Sequence, residues 1–128
     1  MRKPKILVVD DEPIVLMAIE EALLAGGFET TASASFAEAA ERLAESAFDG
    51  LVTDIRLQPG SGWDLARAAR DRHSDIAVIY VSGDSAAEWK TRGVEGSEFC
   101  QKPCAAERIT TTMWRLVDAL SPQTSSQL

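Results

Sequence analysis

Three short apolar runs and a fourth strand-like segment in this 128-residue chain each end in groups that could do chemistry. Gly50-Leu51-Val52-Thr53 closes on Asp54, and Ile6-Leu7-Val8-Val9 closes on Asp10-Asp11. Ile76 to Val81 closes on Ser82-Gly83, and Glu98-Phe99-Cys100-Gln101 closes on Lys102-Pro103. Runs of this length, bounded by polar or turn residues, read as buried strands of a parallel sheet. In open α/β sheets, ligands bind beyond the carboxyl ends of the strands. Parallel neighbours of this kind bring three carboxylates, a hydroxyl and an ammonium to one edge. At an effective dielectric near 20, two carboxylates about 4 Å apart repel by roughly 4 kcal/mol, so three together call for a cation. Oxygen ligands from one or two carboxylates, completed by phosphate oxygens, suit Mg²⁺. A lysine and a serine add a point charge and a hydrogen bond for a phosphoryl group. Asp10-Asp11-Glu12 alone reads equally well as an acidic helix start favoured by the helix dipole. The three other strand ends favour the phosphoryl-site reading.

The elements that must hold these groups alternate along the chain. Lys5 to Val9 reads as the first strand. Pro13 suits the first turn of the helix that follows, since its missing N–H would find no partner there anyway. Ile14, Leu16, Met17, Ile19, Leu23 and Leu24 give that helix a broad apolar stripe, and Gly26-Gly27 stops it. Phe28 to Ala34 reads as the second strand. Ser35-Phe36-Ala37-Glu38 is a capping box for the second helix. Ile55 to Gly62 is a loop by its Pro and Gly content, and Trp63 to Arg72 a third helix. Ser85-Ala86-Ala87-Glu88 predicts a second capping box, and Gly93 and Gly96 limit that helix to about two turns. Ala105 to Leu120 is the last helix. Strands alternating with helices predict a doubly wound, five-stranded parallel α/β sheet with helices on both faces, and right-handed crossovers fix most of its topology; the flavodoxin-like order 2-1-3-4-5 is the expectation. That order puts Asp10-Asp11 and Asp54 together at the switch point. The expected domain spans residues 1–120, followed by a polar tail over 121–128.

Composition narrows the function classes. The net charge of −7 opposes DNA phosphates, so no nucleic-acid partner is expected. No apolar run approaches a membrane span, and Ile6 to Val9 is too short for the core of a secretory signal. Cys100 and Cys104 lack C-x-x-C spacing, and the single histidine, His73, is read as a surface residue away from the site. Two reduced thiols in a cytoplasmic protein are the expectation; a zinc site lacks ligands. Trp63, Trp89 and Trp114 fall on helices, where packing is the first reading; exposure of both Trp89 and Trp114 would mark a partner surface.

From Lys5 to about Leu120 the pattern resembles the receiver domain of two-component response regulators. The resemblance rests on Asp10-Asp11, Asp54, Ser82-Gly83 and Lys102-Pro103 in order, with Gly62 matching the family's loop glycine. It implies that Asp54 accepts a phosphoryl group from a histidine kinase or histidine phosphotransfer protein. It implies Mg²⁺ held by Asp10, Asp11, Asp54 and the Arg56 carbonyl. Ser82, Gly83 and Lys102 would bind the phosphoryl group, and Phe99 stands at the family's switch aromatic, acting with Ser82. Arg56 and Asp84 would face each other across the mouth and modulate water access. The Lys102–Pro103 bond is expected to be cis.

The chain departs from the family pattern in three places. Gln58 stands at the usual loop proline, Cys104 at the usual aromatic after Lys-Pro, and the Ser82-to-Lys102 segment is short. Nothing after Leu120 is long enough for an output domain, so a stand-alone receiver is expected. It would catalyse only its own phosphorylation and dephosphorylation, and would signal to a downstream protein through the fourth helix, fifth strand and fifth helix. It would be a monomer or a phosphorylation-dependent homodimer. Two other readings stand beside this one. One is a Mg²⁺-dependent phosphohydrolase with an aspartyl nucleophile, for which the chain leaves no room for a cap domain. The other is a constitutive pseudo-receiver.

Overall fold

The computed structural model describes residues 3–120; the polar tail expected over 121–128 lies outside the described residues. Five strands and five helices alternate: β1 (Lys5–Val9), α1 (Pro13–Ala25), β2 (Glu29–Ser33), α2 (Phe36–Glu45), β3 (Gly50–Asp54), α3 (Gly62–Arg72), β4 (Ala77–Ser82), α4 (Ala86–Arg92), β5 (Glu98–Gln101) and α5 (Ala106–Leu120). The strands form one parallel sheet in the order β2-β1-β3-β4-β5. Among the described residues no helix is long and apolar enough to cross a membrane.

Alternation along the strands divides the core into two layers. Leu7, Val9, Leu51, Val78 and Tyr80 join Ala39 and Leu43 of α2 and Trp63, Leu65, Ala66 and Ala69 of α3. Ile6, Val8, Val52, Ile79 and Val81 join Ile19 and Leu23 of α1 and Ile109, Met113 and Leu116 of α5. Burying each large aliphatic side chain contributes about 1.5–3 kcal/mol, so a slip of one residue in any central strand would turn both sets to the wrong side. The observed register sets Val9 beside Thr53 and Asp54 beside Val81. It also sets Ser82 beside Gln101, one residue before Lys102. Asp10, Asp54, Ser82 and Lys102 therefore arrive at one edge.

Local signals explain most boundaries. Ser35 Oγ accepts from Glu38 N at 3.1 Å, and Glu38 Oε1 accepts from Ala34 N at 3.0 Å, so the first capping box forms one residue wider than the motif. The second box does not form. Ser85 makes no cap bond, and its hydroxyl donates to Asp84 Oδ1 at 3.2 Å instead. α4 has seven residues, none buried. Ser61, not foreseen as a cap, accepts from Asp64 N and starts α3. α1 ends where Gly27 takes φ 101°, a conformation that favours glycine. The Trp114 indole donates to the Gly26 carbonyl at 2.8 Å and stacks on Phe28 at 4.4 Å.

Several expectations need correction. Only Ile19 and Leu23 of the α1 stripe are buried; Ile14, Met17 and Leu24 are 83%, 57% and 51% exposed. Phe28 precedes β2 and fills the core as a fully buried side chain. Cys100 and Cys104 are not free thiols: they form a disulfide. The chain reverses after β5, which brings their Cα atoms to 6.1 Å, within bridging distance. Both Lys102–Pro103, as expected, and Gln58–Pro59, not foreseen, are cis.

Gly62 fixes the loop behind Asp54. Its N–H donates to Ile55 O at 2.8 Å, and a Cβ there would overlap the Asp54 carbonyl oxygen and lie 2.9 Å from Ile55 Cα. Backbone cannot yield as a flexible side chain does. Gly62→Ala is expected to cost about 1–3 kcal/mol, read as a lower urea midpoint at unchanged slope. An unchanged midpoint would show that the loop shifts freely.

Candidate functional site

Asp54 is the last residue of β3 and is 7% exposed. Its two carboxylate oxygens have different surroundings. Oδ1 accepts from the backbone N–H groups of Ile55 at 2.7 Å and Arg56 at 3.3 Å. Oδ2 faces Lys102 Nζ at 3.4 Å. The carboxylate is thus held through one oxygen while the other points to the cation. Asp10 follows β1 and is 1% exposed; its Oδ1 accepts from Glu12 N at 2.8 Å. Among the described residues its buried Oδ2 makes no well-formed hydrogen bond, and the Lys102 ammonium, 3.3 Å away, is its counter-charge. Lys102 Nζ also reaches Glu12 Oε1 at 3.0 Å.

Asp10, Glu12 and Asp54 each offer an oxygen within 4.8 Å of the others. The sequence reading placed Asp11 in this group, whereas the structure leaves Asp11 exposed and brings Glu12 in. Glu12 was legible only as part of an acidic helix start. Its side chain makes no cap bond to α1, which leaves the carboxylate available to Lys102. The three carboxylates face one ammonium, and the two negative charges left over match a divalent cation. The buried Asp10 Oδ2 lacks the partner that a cation would supply. The donor set, all oxygen, suits a hard cation.

These charges move two protonation equilibria. Burial raises the Asp10 pKa above the ordinary carboxylate value, and the Asp54 charge adds to this; the Glu12 N–H and the Lys102 ammonium act against it. Burial alone would lower the Lys102 pKa, but the Glu12 hydrogen bond and the charges of Asp10 and Asp54 outweigh it and raise the value.

Ser82 is 2% exposed at the end of β4. Its hydroxyl donates to Asp84 Oδ1 at 3.3 Å, lies 3.4 Å from Ser85 Oγ and accepts from Asp84 N at 3.4 Å. All three are longer than well-formed bonds of their kind. Arg56 and Asp84 form the expected ion pair across the mouth, with side chains 75% and 51% exposed. The sequence reading did not foresee that Asp84 also holds Ser82. A Cβ at Gly83 would meet no atom within 4 Å, so that position leaves open space. Phe99 is half-buried against Trp89, ring centroids 6.1 Å apart, and the Trp89 indole donates to Ser97 Oγ at 3.0 Å. Trp63 is buried against Tyr80, and Trp89 and Trp114 are both half-buried, so the three indoles serve packing. A depression of about 320 Å³, lined in part by Arg56, Trp63, Asp84, Glu88 and Arg92, opens between the loop after β3 and α4.

Residues 6–113 match the family model for the response regulator receiver domain. The chain is 31% identical over 111 residues to response regulator protein PilR of Pseudomonas aeruginosa, covering 85% of this chain and 25% of PilR. It is 31% identical over 102 residues to transcriptional regulatory protein PrrA of Mycobacterium tuberculosis, covering 78% of this chain and 44% of PrrA. The chain thus spans less than half the length of these curated relatives. Among solved structures, a response regulator receiver protein from Sinorhizobium medicae superposes with a TM-score of 0.89 at 40% identity, covering 93% of this chain and 98% of that one.

The buried Asp10 gives a signed pH dependence. Its folded pKa is raised, so without divalent cation its contribution to stability grows as pH falls through that value and is lost as pH rises. Asp10→Asn is expected to remove that component and to raise stability at pH 7 by about 1 kcal/mol or more. The same variant should lose stabilisation by added Mg²⁺. Melting curves at several pH values, with and without Mg²⁺, check both. A variant less stable than wild type at pH 7 without Mg²⁺ would refute the assignment.

Proposed function

The chain belongs to the response regulator receiver domain family of two-component signalling, and we propose that Asp54 is its phosphoacceptor, loaded by a histidine kinase or histidine phosphotransfer protein. The observation that carries this is the asymmetric hold on Asp54: two backbone N–H groups on one oxygen and the Lys102 ammonium opposite the other. A carboxylate so oriented is a nucleophile aimed at the cation. One of its oxygens attacks phosphorus as the bond from phosphorus to the donor nitrogen breaks; with the donor ring protonated on its other nitrogen, this leaves an acyl phosphate on Asp54 and a neutral imidazole on the donor. Lys102 exchanges carboxylate partners for phosphoryl oxygens, and Ser82 donates its hydroxyl to another.

Mg²⁺, when bound, would supply positive charge to the phosphoryl oxygens. Asp10, Asp54 and the Arg56 carbonyl would hold it with Asp11, whose side chain has to turn in from solvent. Glu12 already stands among the carboxylates and is the alternative to Asp11. Gly83 leaves room beside the phosphoryl group. Arg56 and Asp84, as an exposed pair, add only about 0–1 kcal/mol to stability; their role is to limit water access and to anchor Ser82.

Loading would release Ser82 from its long bonds to Asp84 and Ser85 and draw the loop after β4 inward. Phe99 would turn into the space left, and α4, with no buried residue and an open depression beside it, would shift. The output face for a downstream protein would then be α4, β5 and α5.

Acetyl phosphate with Mg²⁺ should label wild type by one phosphoryl group and leave Asp54→Asn unlabelled, read by intact mass. Label on Asp54→Asn would overturn the assignment, and catalytic turnover of small phosphate esters would favour a phosphohydrolase instead.

The switch has its own reporter. In Trp63→Phe,Trp114→Phe, beryllofluoride with Mg²⁺ should change Trp89 fluorescence as its Phe99 contact opens. Unchanged fluorescence at saturation would remove this face as the output.

A further inference from the structure

The Cys100–Cys104 disulfide encloses Lys102. The bond joins residues only four apart, so it constrains little of the unfolded chain and is poorly placed to act as a staple for the fold. Its position is more informative. The ring it closes is Cys100-Gln101-Lys102-Pro103-Cys104, whose middle residue carries the ammonium that reaches Asp10, Glu12 and Asp54. Cys100 is fixed: in β5 it pairs with Val81 of β4 and is 5% exposed in the core layer under α1 and α5. Cys104 is half-buried in the turn before α5, packed against the same layer, with its sulfur 3.7 Å from the Ala105 carbonyl. One sulfur therefore sits on rigid strand and the other on a turn that a small thiol can reach. On the strand side the Lys102 N–H donates to the Ser82 carbonyl at 2.8 Å. On the far side of Lys102, the disulfide is the covalent tie that fastens the turn back to β5.

We propose that Cys100 and Cys104 form a reversible redox modification site, exchanging with low-molecular-weight thiols and disulfides of the glutathione type, and that its state sets how readily the Lys102 turn supports phosphorylation. The regulatory half rests on the reading of Asp54 as phosphoacceptor. In the oxidising direction the Cys104 thiolate attacks one sulfur of the small disulfide, whose S–S bond breaks and releases one thiolate. The Cys100 thiolate then attacks the Cys104 sulfur of the mixed disulfide, and the second small thiolate leaves. The cysteine pair loses two electrons and two protons. The small disulfide takes up both and ends as two thiols. Reduction is the reverse. A closed ring holds the Lys102 backbone against β5; an open one frees residues 103–105 to move with the first turn of α5, and the ammonium loses its aim. Small misplacements of a positioning group are costly to rate.

The test has a chemical arm and a functional arm. Folded protein is equilibrated across glutathione buffers from fully reduced to fully oxidised, and free thiols are trapped by alkylation and counted by mass. The expected result is one transition from both thiols free to neither, with an unchanged circular dichroism spectrum. Each state is then labelled with acetyl phosphate and Mg²⁺. The oxidised form should label faster by about threefold or more, and Cys104→Ser, or Cys104→Ala if serine unfolds the chain, should show a single rate with or without reductant. Equal rates in the two wild-type states, a reductant effect that persists in the Cys104 variants, or thiols that exchange only on unfolding would each overturn the proposal. Absence of label in both states would overturn the phosphoacceptor reading and the regulatory claim with it, whereas the thiol titration stands or fails by itself.

Discussion

Like-charge repulsion at the carboxyl edge of the sheet is the constraint on which the site depends. Asp10, Glu12 and Asp54 bring their oxygens within 4.8 Å of one another, and two of the three are almost fully buried. Burial and proximity both oppose ionisation. Lys102 answers the three charges together, which is why its own ionisation is so strongly favoured. The remaining imbalance falls on Asp10, whose Oδ2 makes no well-formed hydrogen bond among the described residues and shares the Lys102 ammonium with two other carboxylates. A core built only for stability would not keep that atom. It would replace the carboxylate with an apolar or amide group and gain from the change. The site therefore holds a local excess of negative charge of the kind a divalent cation would relieve, at the edge above both core layers.

The fold was legible because independent signals agreed. Strand alternation, short connections and right-handed crossovers leave only a few strand orders for this element string, and the observed order is the expected one. Asp54, Asp10, Ser82 and Lys102 were legible because position at a strand end carries geometric meaning in a parallel sheet. Glu12 was not. Residues i and i+2 of a helix start do not share a face in the sequence pattern; only the turn between β1 and α1, fixed by the Glu12 N–H on Asp10 Oδ1, turns both carboxylates toward Lys102.

Other differences share a physical origin. Periodicity marks Ile14, Met17 and Leu24 as apolar but cannot say that α1 buries only a narrow seam through Ile19 and Leu23. Ser85 satisfies the spacing of a capping box, yet Asp84 and Ser82 compete for its hydroxyl and win. The disulfide was missed because the expectation rested on compartment and spacing. A four-residue separation closes only when the backbone brings the two Cα atoms to bridging distance, here 6.1 Å, which spacing alone does not reveal.

The shortest strand thus ties the site to both core layers. β5 has four residues. Phe99 points into the layer shared with α2 and α3 and meets Trp89, whereas Cys100 points into the layer under α1 and α5. Lys102 follows at the strand end, with its N–H on the Ser82 carbonyl and its ammonium among the carboxylates. Period-two alternation makes this division unavoidable. A movement of Lys102 along the strand direction is felt at once by residues that belong to opposite core layers. Ser82, joined to the same strand through Gln101 and to Arg56 through Asp84, is the hydroxyl at the site whose bonds are all long. The stiff parts are the sheet and the carboxylates, and the compliant parts are one hydroxyl, one aromatic ring and a helix with nothing buried. On the proposed reading of Asp54, charge arriving there would be converted to motion along that compliant route, from Ser82 through Phe99 to α4.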